Sequence, residues 1–177
     1  MITFSSLTSG IKVTGPDKTF IVYPKSSEGA SQSTQVLLSV PEEEPTANTI
    51  SWPGEYNIGS VSLKGIAHRD GQQVSFVAIM DDVRLCFISS PLQQWSDAQM
   101  ETAGNIDVLV MPTGDIKLIQ KLVDEFDPRI LVLVPGEEGD PEDPMFKALG
   151  ANDASMMKEF KLKGGLPQEG RQVVVLA

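Results

Sequence analysis

The chain has 177 residues, of which 41% are hydrophobic and 21% charged, a composition typical of a folded globular protein rather than a disordered or fibrous one. A chain of this length can bury a core without disulfides or a structural metal, so we expect a single domain over residues 1–177. The formal net charge of −10 argues against partners that carry phosphate backbones or anionic lipid surfaces, namely nucleic acids and membranes.

The single cysteine, Cys86, cannot form an internal disulfide. It lies in the apolar run Val83–Ile88, a pattern that predicts a packed thiol rather than a catalytic nucleophile. The N-terminus lacks the charged and apolar segments of a signal peptide, and no stretch of about 18 apolar residues occurs. We therefore expect a cytoplasmic protein without a membrane span.

The first hundred residues predict short strands separated by turns. Ile11–Val13 and Thr19–Tyr23 flank the turn Thr14–Asp17 and predict a hairpin, and the serine-rich stretch Lys25–Thr34 predicts a mobile loop. The run Gln35–Val40 predicts a strand that ends at Pro41–Pro45, where two prolines flank three glutamates.

The next segments predict antiparallel pairing. Val61–Ile66 alternates apolar and polar residues, as in a strand with one buried face. Val74–Met80 and Val83–Ser89, joined by Asp81–Asp82, predict the clearest hairpin of the chain. Gly54 and Gly59 predict a tight turn around Glu55 and Tyr56, since no Lys-Ser or Lys-Thr pair follows to indicate a phosphate-binding loop.

Beyond residue 90 the pattern changes to a β-α-β unit. Asp107–Pro112 and Ile130–Pro135 are almost continuously apolar, which is typical of strands buried on both faces. Between them lie apolar residues at helical spacing, with Asp115 as the N-cap and Pro128 just past the end. A second helix is predicted over Asp143–Leu149 and a last strand over Gln172–Leu176.

In order and spacing these segments resemble the metallo-β-lactamase fold, specifically its compact branch with a Gly-Glu-Tyr segment after the metal motif. The segments that carry the resemblance are Trp52–Gly59, Val83–Ile88, Asn105–Gly114 and Phe126–Pro135. The resemblance implies an α+β protein, a metallo-β-lactamase-like αββα sandwich in a compact version with reduced helices, with any site where loops converge at the sandwich edge.

The resemblance also implies where metal ligands would lie, and this sequence departs from the pattern at each place. The His/Asp loop of the family corresponds to Val40–Pro45, a bridging Asp to Ser89–Pro91, and a further His to Gly136–Glu138, while Tyr23 replaces an Asp before Pro24. The degenerate positions are therefore Glu42, Glu44, Ser90 and Glu137. The zinc chemistry of that family needs several His and Asp ligands, so we expect no zinc and assign no catalytic residue.

The sequence also contains three candidates for other chemistry. His68 follows a strand in a polar turn, which predicts a surface residue rather than a ligand. Ser89 and Ser90 have no glycine pattern of a nucleophile elbow, so we interpret them as hydroxyls that cap a strand end. Glu42, Glu44 and Glu137 form a weaker alternative, a carboxylate site for Ca²⁺ or Mg²⁺.

Two classes of function remain open. In the first, the chain is a non-catalytic protein-binding or assembly module that contacts a protein partner or itself through a sheet edge, the loop from Lys25 or the acidic rim. In the second, it is a hydrolase-like enzyme with an atypical carboxylate-based metal site. The missing imidazoles favour the first, and Trp52 or Trp95 would be anchors if exposed.

Overall fold

The computed structural model describes residues 1–25, 30–136, 143–152 and 154–177, with only the backbone of Asp143. Within these ranges the strands are β1 (Ile2–Ser6), β2 (Ile11–Thr14), β3 (Thr19–Val22), β4 (Thr34–Leu37), β5 (Thr49–Ile50), β6 (Gly54–Ile58), β7 (Val61–His68), β8 (Gln73–Met80), β9 (Val83–Phe87), β10 (Val108–Pro112), β11 (Ile130–Val134), β12 (Met156–Met157), β13 (Glu159–Leu162) and β14 (Gln172–Leu176). The helices are α1 (Asp97–Ala103), α2 (Ile116–Phe126) and α3 (Asp143–Ala148).

The strands form two sheets that pack face to face. The six-stranded sheet has the order β13-β1-β2-β3-β4-β5, and the eight-stranded sheet has the order β12-β14-β11-β10-β9-β8-β7-β6. Both sheets are mixed: β3 and β4 are parallel in the first, and β9, β10, β11 and β14 are parallel in the second. The predicted α+β sandwich is confirmed.

The main core lies between the sheets because inward side chains alternate with outward ones along the strands. Phe4, Val13 and Phe20 of the first sheet meet Phe76 and Leu85 of the second in one apolar cluster. Burying each such side chain stabilises the fold by roughly 1.5–3 kcal/mol. This cluster therefore supplies most of the apolar burial that holds the sheets together.

A second apolar layer covers the other face of the eight-stranded sheet, where the described helices lie. Ile119, Leu122 and Val123 of α2 pack against Leu109 and Leu131. The predicted N-cap is confirmed, because the Asp115 carboxylate accepts the Leu118 N–H at 2.9 Å. The helix ends where Asp127 adopts a left-handed conformation (φ 43°) before Pro128.

The predicted hairpin between β8 and β9 and the predicted parallel β10-α2-β11 unit are both present. Asp81 and Asp82 have φ angles of 52° and 61°, as a tight hairpin turn requires. In contrast, Gly54–Ile58 is a strand, and the tight turn is displaced to Gly59 and Ser60.

The strand predicted over Gln35–Val40 ends at Leu37. Beyond that residue the chain leaves the first sheet, because the Ser39 carbonyl accepts the Val74 N–H of the facing sheet at 2.8 Å. Most of the predicted loop Lys25–Thr34 is described, but residues 26–29 lie outside the described ranges. Among the described helices there is none whose length and apolar character would let it cross a membrane.

Candidate functional site

A cavity of about 470 Å³ opens where strands of both sheets end. Phe87, Pro112 and Val134 end β9, β10 and β11 at the cavity wall, and Val22 ends β3 at the same place. Carboxyl ends of parallel strands are the usual position of ligand sites in sheets of this kind. The lining residues are Thr8, Ser9, Gly10, Ile11, Val22, Tyr23, Pro24, Lys25, Ser39, Val40, Phe87, Ile88, Ser90, Val110, Pro112, Val134, Pro135 and Gly136.

Tyr23 bridges the two sheets at this cavity. Its backbone is left-handed (φ 54°), and its N–H donates to the Leu37 carbonyl at 2.9 Å. The hydroxyl donates to the Phe87 carbonyl at 2.7 Å and also lies 3.3 Å from the Val74 carbonyl oxygen. Burial raises the pKa of this phenol well above its usual value, so the side chain stays neutral and serves as a hydrogen-bond donor.

Residues of the loop after β4 line two separate pockets. Ser39 and Val40 line the cavity, whereas Glu42 lines a separate pocket of about 260 Å³ beside Thr46 and Thr49. One Glu42 carboxylate oxygen accepts the Thr46 hydroxyl at 2.9 Å, and the other is buried without a partner among the described residues. Glu44 is exposed to solvent.

The two serines after β9 have different environments. Ser90 lines the cavity, as expected for a residue at the site. Ser89 is fully buried in a polar network, where its Oγ accepts the Gln73 amide at 2.8 Å and lies 3.1 Å from the Ser75 Oγ. Ser89 is therefore a structural hydroxyl, and Ser90 is the degenerate-site position that reaches the cavity.

The end of β11 forms the opposite wall. The Gly136 N–H donates to the Thr113 hydroxyl at 2.8 Å, and a Cβ at Gly136 would collide with the Thr113 backbone carbonyl oxygen. This close approach explains the glycine. Glu137, the fourth degenerate position, lies outside the described residues, so its place at the site stays a prediction.

Comparisons with solved structures decide the fold. A protein of the metallo-β-lactamase superfamily from Thermotoga maritima matches with a TM-score of 0.82 over 99% of this chain and 98% of its own, at 20% identity. The chain has the metallo-β-lactamase fold. YhfI from Bacillus subtilis, another protein of this fold, matches with a TM-score of 0.63 over 100% of this chain and 97% of its own, at 9% identity.

The sequence matches no protein-family model and no curated protein closely enough to show a relationship. The metallo-β-lactamase fold therefore rests on the structural match and on the order of the segments.

The cavity lies where this fold implies a zinc site, which allows the donor chemistry to be tested. Tyr23 and Ser90 occupy the cavity wall at positions where the resemblance implies ligands, and Val40 is the part of the Val40–Pro45 loop that reaches this wall. Zinc in proteins takes imidazole nitrogen, thiolate sulfur or carboxylate oxygen. The Val40 isopropyl group, the Ser90 hydroxyl and the neutral Tyr23 phenol, which donates to a carbonyl oxygen, are not zinc ligands of these types. Across the described ranges no group of three or more His, Cys, Asp or Glu side chains is placed to hold a metal ion.

The prediction for His68 is wrong, because the imidazole is buried rather than exposed. Its ring lies against Trp95, tilted by 59° with 4.7 Å between ring centroids, and its Nδ1 lies 3.1 Å from the Gln99 amide nitrogen. Burial lowers the pKa of His68 to about 4. The imidazole shares its surroundings with Trp95, which is buried and therefore is not a surface anchor.

Cys86 behaves as its sequence pattern predicts. Cys86 is fully buried, and burial raises its pKa, so the thiol is packed and unreactive. The network of Gln73, Ser75 and Ser89 was not found from the sequence. Gln73 and Ser75 lie on β8 and Ser89 follows β9, so the pairing of β8 with β9 brings them together.

Proposed function

We propose that this protein is a non-catalytic member of the metallo-β-lactamase fold that acts as a protein-binding or assembly module. The observation that carries the proposal is the cavity lining, which contains no His, Asp or Glu side chain among the described residues. Hydrolysis in this fold needs a metal that acidifies a bound water, and the described lining offers no imidazole or carboxylate to hold one.

A binding role is supported by exposed apolar side chains that are held in place. Trp52 is 49% exposed and Val40 is 62% exposed. The Trp52 indole N–H donates to the Glu42 carbonyl at 2.9 Å, and its own carbonyl accepts the Tyr56 hydroxyl at 2.8 Å. A rigid, exposed tryptophan loses little conformational entropy on association, and tryptophan is enriched among residues that dominate binding energy.

The alternative function is a hydrolase-like enzyme with a carboxylate-based metal site. The Thermotoga maritima neighbour is assigned to the Zn-dependent hydrolases of the superfamily. In this chain, the buried Glu42 oxygen that has no partner among the described residues is the observation that favours a cation, because an unpaired buried carboxylate oxygen is costly. Hard cations such as Ca²⁺ and Mg²⁺ take oxygen ligands of this type.

Elemental analysis of the purified protein, followed by calorimetric titration with Zn²⁺, Mn²⁺, Ca²⁺ and Mg²⁺, tests both functions. The proposal expects no stoichiometric metal and no hydrolysis of chromogenic phosphodiester, lactone and β-lactam substrates. Stoichiometric, tightly bound zinc or metal-dependent turnover would overturn it.

A matched pair of variants identifies the carboxylate site. Glu42→Gln removes the charge at the unpaired oxygen, and Glu43→Gln removes a neighbouring exposed charge as the control. If Ca²⁺ or Mg²⁺ binds to the wild type and to Glu43→Gln but not to Glu42→Gln, the alternative function replaces the proposed one.

A further inference from the structure

The edge of the eight-stranded sheet at β6 differs from the other sheet edges. The outermost strands are β13 and β5 in the first sheet and β12 and β6 in the second. β5 and β12 have 2 residues each, and β13 carries the ion pair Glu159–Lys161 at 2.7 Å. β6 has 5 residues. It is thus the longest edge, and exposed edges of this kind pair with other strands unless they are protected.

The hairpin geometry determines which backbone groups of β6 are free. Gly59 (φ 63°) and Ser60 connect β6 to β7, and Ile58 pairs with Val61. In a two-residue hairpin the flanking residues exchange both backbone hydrogen bonds, and every second residue repeats this pattern. Tyr56 and Gly54 therefore direct their N–H and C=O groups toward β7, while Glu55 and Asn57 direct theirs outward.

We propose that β6 pairs with β6 of a second copy of this chain in an antiparallel, two-fold symmetric manner, which joins the two eight-stranded sheets. In the register centred on Tyr56, Glu55 of each copy lies opposite Asn57 of the other. The outward groups then form about four N–H···O=C bonds, two for each Glu55–Asn57 pair. This proposal rests on the proposed function, since it names the partner of the assembly module.

Repulsion between carboxylates favours this register over the one in which the Glu55 residues of the two copies lie opposite each other. A shift that placed Glu55 opposite Glu55 of the second copy would oppose like charges, which destabilises a strand pair. In the proposed register Glu55 of each copy lies opposite the neutral Asn57 of the other. Within each copy Lys64 also lies 3.3 Å from the Glu55 carboxylate, which lowers the cost of bringing two edges together.

The same register brings complementary groups to both ends of the pair. Trp52 lies opposite Ser60 of the second copy, and the Lys18 side chain lies beside that turn, because a Cβ at Gly59 would be 2.9 Å from Lys18 Cε. Asp17, on the same turn, already accepts the Ser60 hydroxyl at 2.8 Å. Lys18 of one copy can therefore contact the indole face of Trp52 in the other.

Sedimentation velocity over a concentration series tests the pairing. A small interface of this kind predicts reversible dimers with a dissociation constant of about 10–100 μM. Asn57→Pro removes an outward N–H without removing a bond to β7, so it is compatible with an edge strand. It should weaken dimerisation by at least about 10-fold. Asn57→Ala, which keeps the N–H, should dimerise like the wild type.

Two additional measurements separate pairing at β6 from a folding defect. Lys18→Ala should weaken the dimer by about 3-fold, because it removes the contact with the Trp52 indole of the other copy. Amide exchange at Glu55 and Asn57 should slow as the protein concentration rises, while exchange at Tyr56 should not change.

The pairing is overturned if the wild type stays monomeric throughout the series or if Asn57→Pro dimerises as well as Asn57→Ala. A monomer that binds an added extended basic peptide at β6 would also overturn it, because the occupant would then be another protein. None of these results involves metal uptake or hydrolysis, so failure of the pairing is distinguishable from failure of the non-catalytic proposal.

Discussion

The two faces of the eight-stranded sheet are built differently. The face between the sheets is filled by apolar side chains such as Phe76 and Leu85. The opposite face is also apolar near α2, but toward α1 it encloses His68, Gln73 and Ser89. Three buried atoms there, His68 Nε2, Gln73 Oε1 and Trp95 Nε1, have no hydrogen-bond partner among the described residues. One face is organised for stability, and the other carries polar groups whose burial costs free energy.

The largest expected effect comes from emptying the inter-sheet core. Phe76→Ala should lower the free energy of unfolding by about 3–5 kcal/mol, because the ring is 0% exposed and its removal leaves a cavity. Ile79→Ala on the same strand is the matched control, since Ile79 is 37% exposed and should cost about 1 kcal/mol or less. Urea denaturation measures both, and equal losses would contradict the assignment of the core to this face.

The second-largest expected effect is a loss of folding stability at low pH, which arises from His68 in the polar region. The folded pKa of His68 is about 4, below the usual value of 6.5, so folding favours the neutral imidazole. Its contribution to stability is therefore complete above about pH 6.5 and is lost as the pH falls toward 4. We expect a loss of about 2–3 kcal/mol over this window.

The control for this pH dependence is His68→Asn, which keeps an acceptor near the Nδ1 position and cannot take up the proton. The variant should be less stable at neutral pH but should lose less stability on acidification. Parallel slopes for the wild type and the variant would show that His68 is not the group responsible.

A smaller effect is expected at the contact between the sheets. Tyr23→Phe removes the hydroxyl donor that lies 2.7 Å from the Phe87 carbonyl oxygen, and we expect the loss of this hydrogen bond to cost about 1–2 kcal/mol. Tyr56→Phe removes a hydroxyl at the more open β6 end, where water can replace the bond to the Trp52 carbonyl. Thermal unfolding should place Tyr23→Phe below Tyr56→Phe; the reverse order would contradict the bridging role of Tyr23.

The smallest effect compares two adjacent hydroxyls. Ser89→Ala removes an acceptor from Gln73 and should cost about 1–2 kcal/mol, whereas Ser90→Ala, at the cavity wall, should change stability by less than about 0.5 kcal/mol. Chemical denaturation of the pair under the same conditions checks this. If Ser90→Ala is the more destabilising change, the cavity-facing position of Ser90 is wrong.

The elements predicted correctly from the sequence are those with a strong local signal. Asp81–Asp82 carries the turn of its hairpin, and Asp115 and Pro128 mark the ends of α2. The strand over Gly54–Ile58 was missed because its glycine, its acidic residue and its asparagine are typical of turns; pairing with β7 outweighs that preference. The short strands β1, β12 and β13 were also missed.

The candidate site was only partly predictable. Replacement of the implied ligands could be read at Tyr23 and Ser90, because each follows a strand with a clear apolar pattern. In the loop after β4 the sequence assigned Glu42 and Glu44, whereas the structure brings Val40 to the cavity. The burial of His68 could not be predicted, because it depends on α1. This helix lies far along the chain and places Gln99 against the imidazole. The orientation of Glu42 away from the cavity depends likewise on its contacts with Thr46 and Trp52.

The two tryptophans of the chain divide between the two regions that matter most. Trp52 lies beside the β6 edge and is open to solvent, whereas Trp95 is enclosed between His68 and Phe126. Their fluorescence therefore reports on separate events. Emission from Trp52 should shift when the edge is covered, and emission from Trp95 should be quenched when the neighbouring imidazole becomes protonated. Single-tryptophan variants would give each process its own optical signal in the same protein.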